Sequence, residues 1–203
     1  MNSLVQPQLV LDQVQYQTAG CLVSGSGHYE VGLHLLTGPI GSGKSTIAGV
    51  MAGVIAPDSG TVHRYNITRS LLSVQFPEYY ITSVTIAGEI KSWGLSPEEI
   101  LHLLSLEDRA DDPVMTLSRG ELKRLHLACV CAQNCELMIF DEPFASLDEN
   151  GQEWLRTLLL DASNSCIVVI STHYGHNKIS SELIASRSEM FDGSLCQLIG
   201  DAE

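Results

Sequence analysis

The sequence predicts an α/β fold: a sheet of buried strands covered on both faces by helices. Three observations predict it. Leu33-His34-Leu35-Leu36 reads as a buried strand that runs through a glycine-rich loop into a small-residue helix from Thr46 to Gly53. Leu137-Met138-Ile139-Phe140 and Cys166-Ile167-Val168-Val169-Ile170 are unbroken apolar runs, which suit central strands enclosed on both sides. Gly151 to Leu160 lies between them and suits a crossover helix.

The other elements follow in order. Leu4 to Tyr16 carries strand-like apolar residues broken by Gln and Pro. Cys21 to Gly38 reads as strand segments punctuated by Gly25, Gly27 and Gly32. Pro57-Asp58-Ser59-Gly60 is a turn, since Pro presets φ and Gly supplies the awkward position. Thr61-Val62 and Leu71 to Phe76 look like strands. The period then changes. Ser96-Pro97-Glu98-Glu99 is expected to open a helix with a capping box, and Ile100, Leu101, Leu103 and Leu104 follow at helical spacing. Ser118-Arg119-Gly120-Glu121 is a second expected capping box, with Leu122, Leu125 and Cys129 on one face of its helix. A helical insert is therefore expected between Gln75 and Leu137.

Composition narrows the function. At 203 residues the chain fits one domain, with 44% apolar and 17% charged residues. No run of about 18 apolar residues suggests a membrane-spanning helix, and no secretory signal is read at the start. Six scattered cysteines suit reduced thiols of a cytosolic protein. Cys129, Cys131 and Cys135 are expected on one helix, with Cys129 and Cys131 on different faces, which argues against a metal cluster. A net charge of −13 argues against a general nucleic-acid binder. Arg119, Lys123 and Arg124 read as a solvated helix face.

Three constellations carry chemistry. The first is Gly38-Pro39-Ile40-Gly41-Ser42-Gly43-Lys44-Ser45-Thr46, which fits the phosphate-loop pattern G-x-x-x-x-G-K-S/T. Its glycines let backbone N–H groups converge on one anion, and the helix after them adds its positive end. Lys44 suits the β and γ phosphates, and the Ser45 hydroxyl suits Mg²⁺. The second is Asp141-Glu142, at the end of an apolar strand where two carboxylates need partners. Asp141 can hold Mg²⁺ opposite Ser45, and Glu142 can orient or deprotonate a water. The third is His173, at the end of another buried strand, where open α/β sheets present ligand-facing residues. Gln75 occupies the same kind of position and could touch the metal or the water.

Together these residues resemble the ATP-binding cassette (ABC) ATPases. The decisive segment is Leu117-Ser118-Arg119-Gly120-Glu121, which is similar to the family's LSGGQ signature. The order also matches: phosphate loop, Gln75, signature, Asp141-Glu142, a D-loop at Ser146-Leu147-Asp148, and a switch histidine at His173. The resemblance implies a P-loop NTPase of ABC type, with a RecA-like, mostly parallel core sheet. An N-terminal antiparallel β subdomain and a short helical signature subdomain are implied with it. Residues 1–203 would form one ABC ATPase domain, with 1–76 and 136–203 as the core and 77–135 as the helical subdomain. Two cassettes would dimerise head to tail around two ATP molecules with Mg²⁺. Ser118, Arg119, Gly120 and Glu121 of one would meet the nucleotide held by the other, and Tyr16 would stack on adenine. Ser45, Gln75 and Asp141 would hold the metal. Gln75-Phe76-Pro77-Glu78 and the segment Thr85 to Ile90 are similar to energy-coupling-factor importer ATPases, which serve vitamin and transition-metal uptake.

The sequence departs from the pattern in two ways. Arg119 replaces the first signature glycine and Glu121 replaces glutamine, while Gly120 is kept. The insert from Gln75 to Leu117 is short, and no appended regulatory domain is expected after Phe191-Asp192-Gly193. The resemblance implies an ATP-hydrolysing importer subunit, cytoplasmic and peripheral at the inner membrane face, with a second ATPase subunit and a transmembrane subunit as partners. The alternative is a soluble ABC-type ATPase that remodels a protein complex. A nucleotide-gated binder without useful hydrolysis fits the complete catalytic set less well, as does a DNA-repair ATPase the acidic charge.

Overall fold

The computed structural model of the chain describes residues 6–74, 81–173 and 179–198. Its strands are β1 (Gln8–Gln17), β2 (Leu22–Tyr29), β3 (Gly32–Thr37), β4 (Ser59–Tyr65), β5 (Ser70–Ser73), β6 (Leu137–Asp141), β7 (Ile167–Thr172), β8 (Ser186–Phe191) and β9 (Ser194–Leu198). Its helices are α1 (Lys44–Ala52), α2 (Ile86–Ser92), α3 (Pro97–Leu104), α4 (Arg119–Cys131) and α5 (Glu149–Ala162). All the strands join one sheet in the order β4-β1-β2-β9-β8-β3-β7-β6-β5. The half from β8 through β3, β7 and β6 to β5 is parallel, whereas β1 pairs antiparallel with β2 and β4.

Burial explains the apolar runs. Ile167 and Val169 of β7 pack with α1 residues Ile47, Val50 and Met51 on one face of the sheet. Val168 and Ile170 pack with Leu127, Leu155 and Leu159 of α4 and α5 on the other. Both alternating sets are fully buried, so the strand has no polar face to show. A third cluster, built from Ile86, Ile90, Ile100, Leu104, Leu125 and neighbours, holds the helical insert together.

Local details differ from expectation in four places. Ser96 stands at the start of α3 with Pro97 after it, but its side chain makes no capping hydrogen bond. Thr85 does cap, accepting from Gly88 N at 3.1 Å at the head of α2. Gly60 lies within β4, opposite a bulge in β1, instead of closing a free turn. Its φ is 79°, and a Cβ there would come within 2.3 Å of Gln13 O, so the bulge requires glycine. Cys135 falls beyond the end of α4, so the three neighbouring cysteines do not share one helix. The expected strand residue Phe76 lies outside the described residues.

Parallel register sets the level of the functional positions. Asp141 pairs with Ser171 across β6 and β7, and Thr37 pairs with Thr172 across β3 and β7. Gly38, Asp141, Glu142 and His173 therefore leave the sheet at one edge, the carboxyl ends of its parallel strands.

Candidate functional site

The loop after β3 turns at Gly38, where φ is 150° and a Cβ would come within 2.3 Å of Met190 O. Only glycine fits so close to that backbone. α1 starts after Gly43 with no side-chain cap and no acidic residue in its first turn. Its leading N–H groups thus meet no carboxylate of their own helix, which suits an incoming anion. Ser42 Oγ is buried in the same loop with no hydrogen-bond partner among the described residues. Such a donor also fits a phosphate oxygen.

Lys44 is only 5% exposed. Its Nζ donates to Gly38 O and Pro39 O, both at 2.9 Å, and lies 3.4 Å from His173 Nδ1. Burial pulls the Lys44 ammonium below its ordinary value, and the nearby Glu142 and Asp141 charges oppose that pull. His173 Nε2 lies 3.2 Å from Glu142 Oε1. The loop lysine, the histidine and the carboxylate thus form a continuous polar chain at the sheet edge. Beside Glu142 and His173 opens a recess of about 280 Å³, walled on its other side by Ser146, Leu147 and Gln152.

Asp141 sits one step deeper, where Ser171 Oγ donates to its Oδ1. Ser171 is fully buried, and sequence reasoning missed it; the signal was a hydroxyl directly after the apolar residues Ile167 to Ile170, still within the strand. Glu142 has φ 50°, a left-handed value unusual for a side-chain-bearing residue, and its N–H donates to Ser171 O at 3.1 Å. Ser45 is exposed and Thr46 half-buried in the first turn of α1, and Ile40 and Gly41 are exposed at the loop tip. The donor chemistry of Ser45 and Asp141, both hard oxygen groups, fits Mg²⁺. Gln75 lies outside the described residues.

Tyr16 is half-buried in β1 opposite Val23 of β2. Directly opposed residues share a face, and a Cβ on Gly43 would lie 2.8 Å from Val23. The tyrosine therefore stands on the side of the sheet that carries the phosphate loop.

The signature segment forms a separate unit at the head of α4. Ser118 Oγ accepts from Glu121 N at 3.2 Å, and Glu121 Oε2 accepts from Ser118 N at 2.8 Å, which is the expected capping box. Arg109 donates to Glu121 Oε1 at 2.9 Å and also pairs with Asp112. The Ser118 hydrogen bonds and then the Arg109 charge hold the Glu121 carboxyl below the usual range. Arg119 is exposed. Gly120 faces the turn after β6, with Ser146 O 4.0 Å from where a Cβ would stand. Asp148 then caps α5, accepting from Gly151 N at 2.8 Å. One reading of this helix is corrected: Lys123 is not on a solvated face but 5% exposed, with its Nζ on backbone carbonyls of the turn after β6.

Comparison with known proteins agrees with this geometry. The family described as ABC transporter matches residues 29–145. The energy-coupling factor transporter ATP-binding protein EcfA2 of Clostridioides difficile is 31% identical over 166 residues, covering 68% of this chain and 58% of that protein. EcfA of Methanosphaera stadtmanae is 31% identical over 163 residues, covering 68% and 59%. The chain thus spans under two thirds of the length of these curated relatives. Among solved structures, a dimeric ATP-binding cassette in a post-hydrolysis state bound to ADP and Pi superposes with a TM-score of 0.75 at 19% identity, over 95% of this chain and all of that one. The fold is the ABC cassette fold, and the chain belongs to the ABC transporter family.

Proposed function

We propose that this chain is the ATP-binding and hydrolysing subunit of an ABC importer of the energy-coupling-factor type, for a vitamin or a metal ion. The observation that carries the reading is the chain from Lys44 through His173 to Glu142 at the carboxyl edge of the sheet. The loop residues Gly38, Pro39, Ile40, Gly41, Ser42, Gly43, Lys44, Ser45 and Thr46 would cradle the phosphates, and Tyr16 would stack on adenine. Glu142 would act on the attacking water, with His173 holding its carboxylate in place. Mg²⁺, when bound, supplies charge neutralisation at the phosphates, and Ser45, Asp141 and Gln75 are the groups suited to hold it.

In this reading residues 1–203 are one ATPase domain, with 77–135 as its helical part. Ser118, Arg119, Gly120 and Glu121 serve the nucleotide of a second ATPase subunit, next to the D-loop Ser146-Leu147-Asp148. No helix among the described residues is long and apolar enough to cross a membrane, so transport calls on a separate membrane subunit. The ATPase would work in the cytoplasm against the inner membrane face.

Phosphate release from Mg-ATP tests the activity. Glu142→Gln should keep ATP binding, lower turnover by about 10²- to 10⁴-fold, and trap an ATP-dependent dimer in gel filtration. Unchanged turnover would remove Glu142 from its role, and no calorimetric affinity for Mg-ATP would sink the whole proposal. Co-purification with a polytopic membrane protein separates import from remodelling of a protein complex.

A further inference from the structure

Lys123 is a cation buried in the helical insert, five residues past the signature serine. Its Nζ donates to Ala145 O at 2.8 Å and to Glu142 O at 3.1 Å. These carbonyls belong to the turn that carries Glu142 and leads into Ser146. That turn is unusual, because Glu142 (φ 50°) and Ser146 (φ 66°) both hold left-handed backbone without being glycine. Such conformations persist only where the surroundings over-determine them. The turn's own hydrogen bonds, Ala145 N to Glu142 O and Leu147 N to Phe144 O, are both long at 3.3 Å. A lysine ammonium offers three donors on a flexible stem, so one side chain can satisfy two carbonyls that point the same way.

We propose that Lys123 is a positioning residue that fixes the backbone of the turn bearing Glu142 and ties it to the helix that begins with the signature. It touches no substrate. It acts through the Glu142 carbonyl, on the residue whose side chain would do the chemistry. The tie has a second consequence in the head-to-tail dimer. There α4 presents Ser118 and Gly120 to the partner's nucleotide, while the turn serves its own. One ammonium then links the two nucleotide sites within a single chain. This inference rests on the proposed ATPase function for its catalytic consequence, but not for the positioning itself.

The test compares Lys123→Met and Lys123→Arg with the wild-type chain by three measurements. These are amide hydrogen exchange across residues 142–147, steady-state Mg-ATP hydrolysis, and thermal melting. In Lys123→Met the Ala145 and Leu147 amides should exchange about tenfold faster or more, while the central strands stay protected. Its kcat should fall about tenfold or more with KM for ATP within about threefold, and Lys123→Arg should restore both. Turn exchange unchanged in a folded Met variant overturns the proposal. Exchange that rises equally throughout the sheet also overturns it, since that marks a merely structural lysine. If the Met variant does not fold, Lys123→Gln, which keeps an amide donor, is read by the same outcomes. Should the wild-type chain fail to hydrolyse ATP, the ATPase reading falls, while the exchange data still decide the role of Lys123.

Discussion

The loop after β3 and the turn after β6 each hold a buried ammonium with two backbone carbonyls. Lys44 and Lys123 are equally hidden, each 5% exposed. Their settings differ. The carbonyls around Lys44 belong to a loop whose tip, Pro39 to Gly41, is exposed, and the lysine also lies beside His173 and near two carboxylates. The carbonyls around Lys123 belong to a turn packed on buried Pro143, Phe144 and Leu147. A cation in the first setting can exchange a partner for an anion, because Pro39, one of the two residues whose carbonyls it leaves, is at the exposed tip. A cation in the second, on leaving, takes the ammonium donor from Ala145 O and leaves Glu142 O with only the long 3.3 Å bond from Ala145 N. Burial alone therefore does not mark a functional lysine; the replaceability of its partners does.

Replacing Lys44 breaks or upholds that distinction with the largest expected effect. Lys44→Met should lower Mg-ATP turnover by about 10³-fold and weaken ATP binding, as loss of a principal charge stabiliser does. It should move the melting temperature by only a few degrees, about the shift of a 1 kcal/mol change. Calorimetry, phosphate release and a thermal melt check all three. A Lys44→Met chain that fails to fold would show that the carbonyl partners of Lys44 are not replaceable, and the distinction would fall.

The second prediction sharpens the comparison through a neighbour of Lys123. His126 bonds Ser73 Oγ at 3.1 Å and meets Trp93 edge-on at 5.5 Å. Burial first, and then the Lys123 charge, push its pKa down to about 4, with Glu89 pulling the other way. The folded chain thus keeps His126 neutral while the unfolded chain protonates it near 6.5. The unfolded state binds more protons between those values, so the contribution is intact above the unfolded pKa. It is lost as pH falls from about 6.5 towards about 4. Urea unfolding should show wild type losing about 1–2 kcal/mol more than His126→Gln between pH 7 and pH 5. In Lys123→Met the loss should shrink, because one of its causes is gone. A loss in Lys123→Met equal to that of wild type would remove the Lys123 charge as a cause of the shift, and an equal loss in His126→Gln would remove His126 itself as the source.

The two lysines were not equally legible. Lys44 stands in a contiguous motif, between a strand and a helix that the apolar pattern also marks. Its carbonyl partners Gly38 and Pro39 lie within six residues. Lys123 reaches carbonyls 19 and 22 residues away, so no local pattern announces them. Its neighbours Arg119 and Arg124 suggested a wet face, but the helix turns Lys123 inward. The parallel strands could be read because burial on both faces leaves only apolar residues. The Ser171–Asp141 contact could not, since it depends on the register between β6 and β7. Ser96 shows the reverse error: its spacing fits a capping box, yet its side chain makes no cap, and Thr85, which does cap, carried no such signal.

The smallest expected effect concerns Glu121, at the head of the helix that carries Lys123. The family pattern has glutamine here, and either residue can return a hydrogen bond to Ser118 N. Only glutamate adds the charge that pairs with Arg109. That pair is partly exposed, so its loss in Glu121→Gln should cost a few tenths of a kcal/mol at most. Glu121→Ala removes the acceptor as well, and should cost about 1 kcal/mol. The depressed carboxyl pKa adds a check on sign. The stabilisation is present above the ordinary glutamate value and is lost as pH falls through the folded one, and the Gln chain should lack that acid dependence. Urea midpoints for the three chains at pH 7 and pH 4 measure this. If Gln falls as far as Ala at pH 7, the Arg109 charge, and not the cap, holds this end of α4. The tie through Lys123 would then be anchored by an ion pair that salt could loosen.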